Sequence, residues 1–174
     1  IFNNAGFIVP GFFSDTDFAK IEANLECNST CSVHITHHFT RDLMEKNQKG
    51  LVTFTSSAGG YFPGPTATMY SCSKAFLTNF AMTIAPELRT VGIDVVAMHP
   101  SPVASRFYEK TAALMSSLQA AQKQATTPEN IADQIFAAAG RLVVWDQGVM
   151  CGIFRVVNKA IDWAMLGEII NRFC

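Results

Sequence analysis

Two short apolar runs, separated by a long helical pattern, constrain the fold of this chain more than any other feature. The first, "GLVTF", ends in two serines, and the second, "IDVVAMH", ends before a proline. Compact β-branched runs of this kind are typical of parallel strands buried on both faces. The helical spacing between them, from about Thr66 to Thr90, fits the crossover that parallel neighbours need. The sequence therefore predicts an α/β fold.

The other patterns extend this alternation of strands and helices along the chain. The opening "IF" resembles the end of a buried strand, and a proline at the start of "PENIADQIFAAAG" marks a helix. We expect a doubly wound parallel sheet of Rossmann type, forming one domain over residues 1–174. The remaining expected elements are a short helix running into a long one over 15–46, helical spacing over 108–124, and a weak strand or turn over 142–145.

Charge and cysteine content narrow the class of protein. The formal net charge is -1 and no basic stripe is present, which argues against a nucleic-acid partner. The five cysteines are an odd number in a chain with a sizeable apolar core, so we expect a reducing compartment rather than a disulfide framework. No signal peptide is evident. The chain begins inside an expected strand, and we expect it to be a piece of a longer protein.

Polar side chains gather where the predicted strands end, which is where open parallel sheets place their sites. Tyr70 and Lys74 stand four residues apart near the start of the long helix, so both project from one face. A lysine ammonium favours the phenolate and brings the tyrosine pKa closer to the working range of a general acid or base. Ser57, thirteen residues before Tyr70, could bind the same substrate oxygen.

In order and spacing, "NNAG", an asparagine in the first long helix, "TFTSSAGG", "YSCSK" and "HPSPVAS" resemble the short-chain dehydrogenase/reductase superfamily. The resemblance implies that Tyr70 is the catalytic acid or base and that Lys74 tunes it and binds the nicotinamide ribose. It implies that Ser57 polarises the substrate oxygen, with Ser56 the weaker choice. Asn28 would order a water in a proton relay, and Asn24 is the alternative.

The same resemblance assigns a set of residues to the cofactor. Asn4, Ala5 and Gly6 match the motif that stabilises the sheet beside it. In the loop after the third strand, Val103 would meet the nicotinamide carboxamide through its backbone, and Ser105 would replace a threonine. The family has Pro-Gly where this chain has Pro100 and Ser101, which leaves the loop path open. The implied cofactor-binding set is Asn4, Ala5, Gly6, Tyr70, Lys74, Pro100, Ser101, Val103 and Ser105.

Within the superfamily, the region from "NQKG" to "IAPEL" and the apolar C-terminal segment are most similar to 17-beta-hydroxysteroid dehydrogenases and 3-oxoacyl-CoA reductases. This similarity implies a lipid, steroid or fatty acyl substrate whose carbonyl and secondary alcohol are interconverted. Phe62, Pro63, Met69, Phe107 and Met115 could supply an apolar pocket, and they are equally expected in an ordinary core.

The glycine-rich turn that the family uses to bind pyrophosphate is not found in this sequence. The cofactor is expected to be NADP or NAD, and the resemblance favours NADP. The alternative reading is a truncated, non-catalytic product that keeps the site residues without binding a dinucleotide.

Two further patterns concern partners. Cys31, His34, His37 and His38 have helical spacing, but we expect no metal site there, because a further ligand is not evident. They are expected to pack or to face a partner in a homo-oligomer built through the two long helices. The amphipathic segment 152–173 is expected to lie on a membrane surface, such as the cytoplasmic face of an intracellular membrane, or to cover the substrate entrance. The alternative is a helix that packs on its own domain or on a second subunit. Charges interrupt the segment too early for a membrane span.

Overall fold

In the described part of the chain, four parallel strands form one sheet, which confirms the predicted α/β class. The computed structural model describes residues 1–108 and 125–161. The strands are β1 (Phe2–Asn3), β2 (Gly50–Thr55), β3 (Ile93–His99) and β4 (Val144–Asp146), and they lie side by side in chain order. Each pairs in parallel with the next. Their carboxyl ends therefore meet at one edge of the sheet.

Helices connect the strands as expected, with one irregularity. Helix α1 (Phe18–Leu25) leads through a π-helical turn (Glu26–Thr30) into α2 (Cys31–Glu45). The other helices are α3 (Thr68–Arg89), α4 (Pro128–Ala138) and α5 (Val149–Ala160), and short 3-10 turns lie at Phe13–Asp15, Ala58–Gly60 and Arg106–Tyr108. Most of the expected helix over 108–124 lies outside the described residues.

Helix α4 begins where its sequence signals predicted. The hydroxyl of Thr127 accepts a hydrogen bond from the backbone N–H of Asn130 at 3.2 Å, and Pro128 occupies the first helical position. A proline costs nothing there, because the first N–H groups of a helix have no partner inside the helix. This cap fixes the end of α4 that faces the strand ends.

The core fills both faces of the central strands. On one face, Val52 and Phe54 of β2 and Val95 of β3 pack with Leu77 and Ala81 of α3. On the other face, Met98 of β3 packs with Ile131 and Ile135 of α4. Alternate residues of a strand point to opposite faces, so the apolar runs cover both helical layers at once.

Helix α5 exposes much of its apolar surface. Val149, Met150, Ile153 and Val156 are all exposed, whereas Cys151 is buried. No helix among the described residues is long and apolar enough to cross a membrane. Residues 152–160 of the segment 152–173, which we expect at a membrane surface, fall in α5, and its larger part beyond residue 161 lies outside the described residues.

Candidate active site

A cavity of about 590 Å³ opens at the carboxyl ends of β1, β2 and β3, the edge where the sequence predicted a site. Helices α3 and α4 and the loop after β3 contribute to the rest of its wall. All nine residues that the resemblance assigned to a cofactor line this cavity, together with Ser57. Other lining residues are Phe2, Thr55, Ser56, Phe107, Pro128, Ile131, Ala132 and Ile135.

Lys74 is the most deeply buried charged residue of this wall among the described residues. Its side chain is 3% exposed, and its Nζ donates a hydrogen bond to the backbone carbonyl of Thr55 at 2.6 Å. Burial lowers the lysine pKa to about 8. The ammonium lies 5.6 Å from the centre of the Tyr70 ring. A buried cation is costly, so its position against a phenol points to a chemical role.

Tyr70 lies half-buried on the same helical turn. Its ring centre is 5.9 Å from that of Phe107, and a Cβ built on Gly59 would lie 3.5 Å from its Cε1. The glycine loop and Phe107 therefore confine the ring from two sides. The i, i+4 spacing brings the phenol and the Lys74 ammonium to one face of α3, as predicted from sequence.

The two serines after β2 have different surroundings. Ser56 is buried, and its hydroxyl lies 2.7 Å from both the Lys74 carbonyl and the Thr78 hydroxyl, which fastens β2 to α3. Ser57 is half-buried and accepts a hydrogen bond from the N–H of Gly59 at 3.1 Å. That contact uses the Ser57 oxygen as an acceptor, so its hydroxyl proton is available for a substrate oxygen. This geometry favours Ser57 over Ser56 as the substrate-binding residue.

Asn28 lies behind the cavity wall, in the middle of the π-helical turn. Its Oδ1 accepts from the N–H of Phe7 at 3.0 Å, and its Nδ2 donates to the Phe7 carbonyl at 2.9 Å and to the Ser73 hydroxyl at 3.2 Å. Asn24 also donates to the Phe7 carbonyl, at 2.8 Å. Both asparagines thus hold the segment after "NNAG", and neither side chain lines the cavity.

The π-helical turn itself was not predicted. The N–H of Cys31 donates to the carbonyl of Glu26, five residues earlier. Such a turn inserts one residue into a helix and displaces backbone carbonyls from the regular ladder, and it is frequent at functional sites. The side-chain amide of Asn28 already makes three hydrogen bonds, so the backbone of this residue is the part that could hold a water molecule.

The "NNAG" segment packs closely against this wall. A Cβ added to Gly6 would come within 3.2 Å of Asn28 Oδ1 and 3.3 Å of Lys74 Nζ, so a larger residue would crowd both groups. Asn4 accepts a hydrogen bond from the Thr55 hydroxyl at 2.7 Å, which joins the ends of β1 and β2. The absence of a side chain at Gly6 keeps the space beside Lys74 open.

Sequence reasoning missed a buried polar network beside the cavity. The Tyr61 hydroxyl donates to Asp146 Oδ1 at 2.5 Å, so its oxygen accepts from His99 Nδ1 at 2.9 Å. His99 Nε2 then accepts from the Thr78 hydroxyl at 2.7 Å. Arg155 binds the second oxygen of Asp146 at 3.0 Å. His99 and Asp146 each end a strand, which was the one signal for this pairing in the sequence.

Burial sets the charge states in this network. It lowers the pKa of His99 to about 3, with the positive charges of Arg155 and Lys74 adding to the effect. It also raises the pKa of Tyr61 well above its ordinary value, and the Asp146 carboxylate raises it further. With His99 neutral and its proton on Nδ1, each hydrogen bond from Thr78 through His99 and Tyr61 to Asp146 has one donor and one acceptor. We therefore interpret the network as structural. Tyr70, and not Tyr61, is the tyrosine that lines the cavity and lies beside the Lys74 ammonium.

The residues that the sequence offered for an apolar pocket have different positions relative to this cavity. Phe107 lines the cavity, but Phe62, Pro63 and Met69 do not. Phe62 instead packs edge-to-face on Phe154 of α5, with ring centres 5.4 Å apart. Residues of α4 supply the apolar wall in their place. Met115 lies outside the described residues.

The cysteines and histidines of α2 lie away from this cavity. Cys27, Cys31, Cys72 and Cys151 are free thiols. Within the described ranges, no three His, Cys, Asp or Glu side chains converge in a way that would hold a metal ion.

Several known proteins are similar to this chain. Sulfoacetaldehyde reductase of Chromohalobacter salexigens is 27% identical over 143 residues, which make up 80% of this chain and 56% of that protein. The very-long-chain 3-oxoacyl-CoA reductase of Pyrenophora tritici-repentis is 31% identical over 66% of this chain and 35% of its own length. Human 17-beta-hydroxysteroid dehydrogenase type 3 is 31% identical over 59% and 34%. The chain therefore spans from about a third to just over half of these relatives.

Solved structures agree on the fold. A short-chain dehydrogenase from Streptomyces avermitilis superimposes with a TM-score of 0.77 at 20% identity, over 98% of this chain and 66% of that one. A 2-deoxy-d-gluconate 3-dehydrogenase homologue from Agrobacterium tumefaciens, solved with bound NADP, gives a TM-score of 0.73 at 20% identity, over 83% and 63%. The sequence profile of the family described as short chain dehydrogenase matches residues 1–116, more than half of the chain. The chain belongs to the short-chain dehydrogenase family of oxidoreductases.

Proposed function

We propose that this chain carries the catalytic residues of an NAD(P)-dependent oxidoreductase that interconverts a carbonyl and a secondary alcohol. The observation that supports this most is the buried Lys74 ammonium, which lies against the Tyr70 ring on the wall of an open cavity. Ser57 stands on the same wall. A phenol, a cation and a hydroxyl donor around one space are the groups that a carbonyl oxygen requires during reduction.

The cavity fits the nicotinamide end of a dinucleotide, which when bound would supply or accept a hydride. Lys74 Nζ donates one of its three N–H groups to the Thr55 carbonyl, and the other two can donate to ribose hydroxyls. The missing side chain at Gly6 leaves room beside that ammonium. Val103, which lines the cavity, would meet the carboxamide through its backbone. NADP is favoured over NAD by the family resemblance and by the NADP bound in a structural neighbour.

Tyr70 would exchange the proton at the substrate oxygen. In the reductive direction its phenol donates to the carbonyl oxygen as negative charge develops there, and in the oxidative direction the phenolate removes the hydroxyl proton. The Lys74 ammonium stabilises the phenolate through its positive charge. Ser57 donates a hydrogen bond to the same oxygen and so holds the carbonyl in place for the transfer.

Asn28 would position the groups that relay protons to the site. Its amide fixes the backbone of Phe7 and the hydroxyl of Ser73, three residues after Tyr70 on the same helix. Its own backbone carbonyl lies in the π-helical turn and would order a water between bulk solvent and Lys74. We assign it a positioning role on these grounds.

An apolar substrate is favoured by the composition of the wall. Phe107, Ile131 and Ile135 give the cavity its aromatic and aliphatic surface. Two of the relatives are named for very-long-chain 3-oxoacyl-CoA and 17-beta-hydroxysteroid chemistry, and a third for sulfoacetaldehyde, a small polar aldehyde. We propose a lipid, steroid or fatty acyl carbonyl, because this apolar part of the lining suits a substrate with an apolar body.

Calorimetric titration with NADPH and NADH tests the function. We expect binding by a chain extended upstream through a glycine-rich turn, with NADPH the tighter ligand. The 174-residue chain alone is the comparison, because the pyrophosphate site is not part of this sequence. Binding by neither chain would overturn the proposal and leave the non-catalytic alternative, in which the site residues persist without a dinucleotide.

We further propose that the protein forms a homo-oligomer through α2 and α3. Ile35 and Phe39 of α2, and Phe76 and Met82 of α3, are apolar and exposed. Exposed apolar side chains on two long helices are typical of a buried face in an assembly. Sedimentation should show a dimer or larger species, and Phe76→Asp should shift it to monomer. A monomeric wild-type protein would contradict the proposal.

The exposed apolar face of α5 supports the expected membrane contact. Val149, Met150, Ile153 and Val156 form this face, and Lys159 is an exposed cation near the end of the helix. Such helices bind in the plane of a lipid surface. Co-sedimentation with vesicles of anionic phospholipid should recover the protein, and recovery unchanged by Val156→Glu would exclude this face.

A further inference from the structure

A single side chain, that of Gln147, joins the end of β4 to the loop after β3. Strand β4 ends at Asp146, opposite His99, and the N–H of Gln147 extends the pairing by donating to the His99 carbonyl at 2.9 Å. The side-chain oxygen of Gln147 then accepts from the N–H of Ser101 at 2.8 Å. It also accepts from the Ser101 hydroxyl. Two donors of one residue therefore converge on one amide oxygen.

The other end of this loop is held by Thr126. The N–H of Ala104 donates to the Thr126 carbonyl, and the N–H of Thr126 donates to the Pro102 carbonyl, both at 2.8 Å. In a parallel bridge of this kind, the N–H and C=O of the central residue point to the opposite side. That residue is Val103, and it lines the cavity. The loop is thus fixed on both sides of Val103.

Ser101 stands where the family pattern has glycine, and the contact explains how the chain accommodates it. A glycine at this position would offer Gln147 only its backbone N–H. The serine adds a second donor to the same acceptor, so the larger residue ties the loop down rather than disturbing it. Gln147 and Ser101 are therefore best understood as a matched pair.

The anchor is itself rigid. Asp146 is fixed through both carboxylate oxygens, one accepting from Tyr61 and the other from Arg155 of α5. Gly148 follows with a φ of +83°, a value that glycine adopts without strain, and turns the chain into α5. The backbone at Gln147 therefore has little freedom to move with the loop after β3. The position of Ser101 is fixed before any ligand binds.

We propose that Gln147 is a positioning residue for the nicotinamide end of the cofactor, acting through Ser101 on the backbone of Val103. This inference rests on the proposed function. A loop held in its binding conformation before the ligand arrives loses less conformational freedom on binding, so the contact raises affinity for the nicotinamide half. Gln147 need not touch the ligand.

Reduced nicotinamide mononucleotide is the probe for this inference, because it carries the nicotinamide half alone. Gln147→Leu removes the acceptor at similar size and should weaken binding about 10-fold, the equivalent of one to two lost hydrogen bonds. Gln147→Glu keeps acceptor oxygens at the same reach and should restore binding to within about 3-fold of the wild-type value. Ser101→Gly loses one of the two donors and should fall between them.

Hydrogen exchange of the Ser101 amide, measured without ligand, reports the contact itself. Its protection should fall in Gln147→Leu and persist in Gln147→Glu. Unchanged protection in Gln147→Leu, or binding equal to that of the wild type, would overturn the positioning role while the proposed function stands. A wild-type chain that does not bind the mononucleotide would overturn the inference, whereas binding of full dinucleotides by the extended chain decides the proposed function separately.

Discussion

Replacing Tyr70 with phenylalanine is expected to lower kcat for ketone reduction by roughly 10³-fold, within the range that general acid catalysis contributes. The change removes one hydroxyl from a ring that Phe107 and the glycine loop already confine. Packing on α3 should therefore be preserved, and the loss should appear in kcat more than in KM. Steady-state rates of the upstream-extended chain with an aliphatic ketone and NADPH, together with near-ultraviolet circular dichroism, give the measurement.

Thr90→Val is the matched control for Tyr70→Phe. It also removes one hydroxyl, at the residue that follows α3, where Thr90 is exposed and donates to the Glu87 carbonyl at 2.7 Å. It should leave kcat unchanged. A Tyr70→Phe protein that retains more than a tenth of the wild-type kcat would show that another group supplies the proton.

The sheet and the location of the site could be predicted because each rests on a strong local signal. The runs around Phe54 and Val96 are buried on both faces in the structure, as unbroken apolar strands require. Parallel strands bring their ends together, so the polar residues after them had to meet. The spacing of Tyr70 and Lys74 then fixed their common face.

The features that sequence could not predict depend on small differences between alternative local packings. A π-helical turn at Asn28 differs from a continuous α-helix by one inserted residue, a difference too small to read from the sequence. The bond between Tyr61 and Asp146 joins residues 85 apart in sequence. From sequence, the aromatic loop residue Phe62 could face either the cavity or α5. In the structure it packs on Phe154 of α5, a residue far away in sequence.

Spacing alone nearly suffices to choose between Ser56 and Ser57 as the serine that faces a ligand. Neighbouring residues at the end of a strand point to opposite sides, so one of the pair must face α3 and the other the open edge. The count of thirteen residues to Tyr70 favoured Ser57. The buried contacts of Ser56 with α3 agree with that choice, because they leave Ser57 as the serine whose hydroxyl can turn to a ligand.

Lys74→Met is expected to lower activity strongly and yet stabilise the fold. The pKa of about 8 means that at pH 7 the buried ammonium costs about 3 kcal/mol relative to the unfolded chain. Methionine fills similar space without charge, but it leaves the Thr55 carbonyl without its donor, which costs about 1 kcal/mol. We expect a net gain of roughly 1 to 2 kcal/mol in the free energy of unfolding, and a loss of at least about 100-fold in kcat.

The pH dependence separates this explanation from a general effect of removing lysine. The folded pKa lies below the ordinary value of 10.5, so the unfolded chain binds more protons between pH 8 and 10.5, and wild-type stability gains a rising contribution across that window. The advantage of Lys74→Met should therefore be largest below pH 8 and shrink towards pH 10 in urea unfolding. Lys20→Met, at an exposed site, should show neither effect. If Lys74→Met were less stable than the wild type at pH 7, contacts beyond the Thr55 carbonyl would have to stabilise the ammonium. The burial of Lys74 beside Tyr70 would then not be destabilising, and it would no longer support a catalytic role.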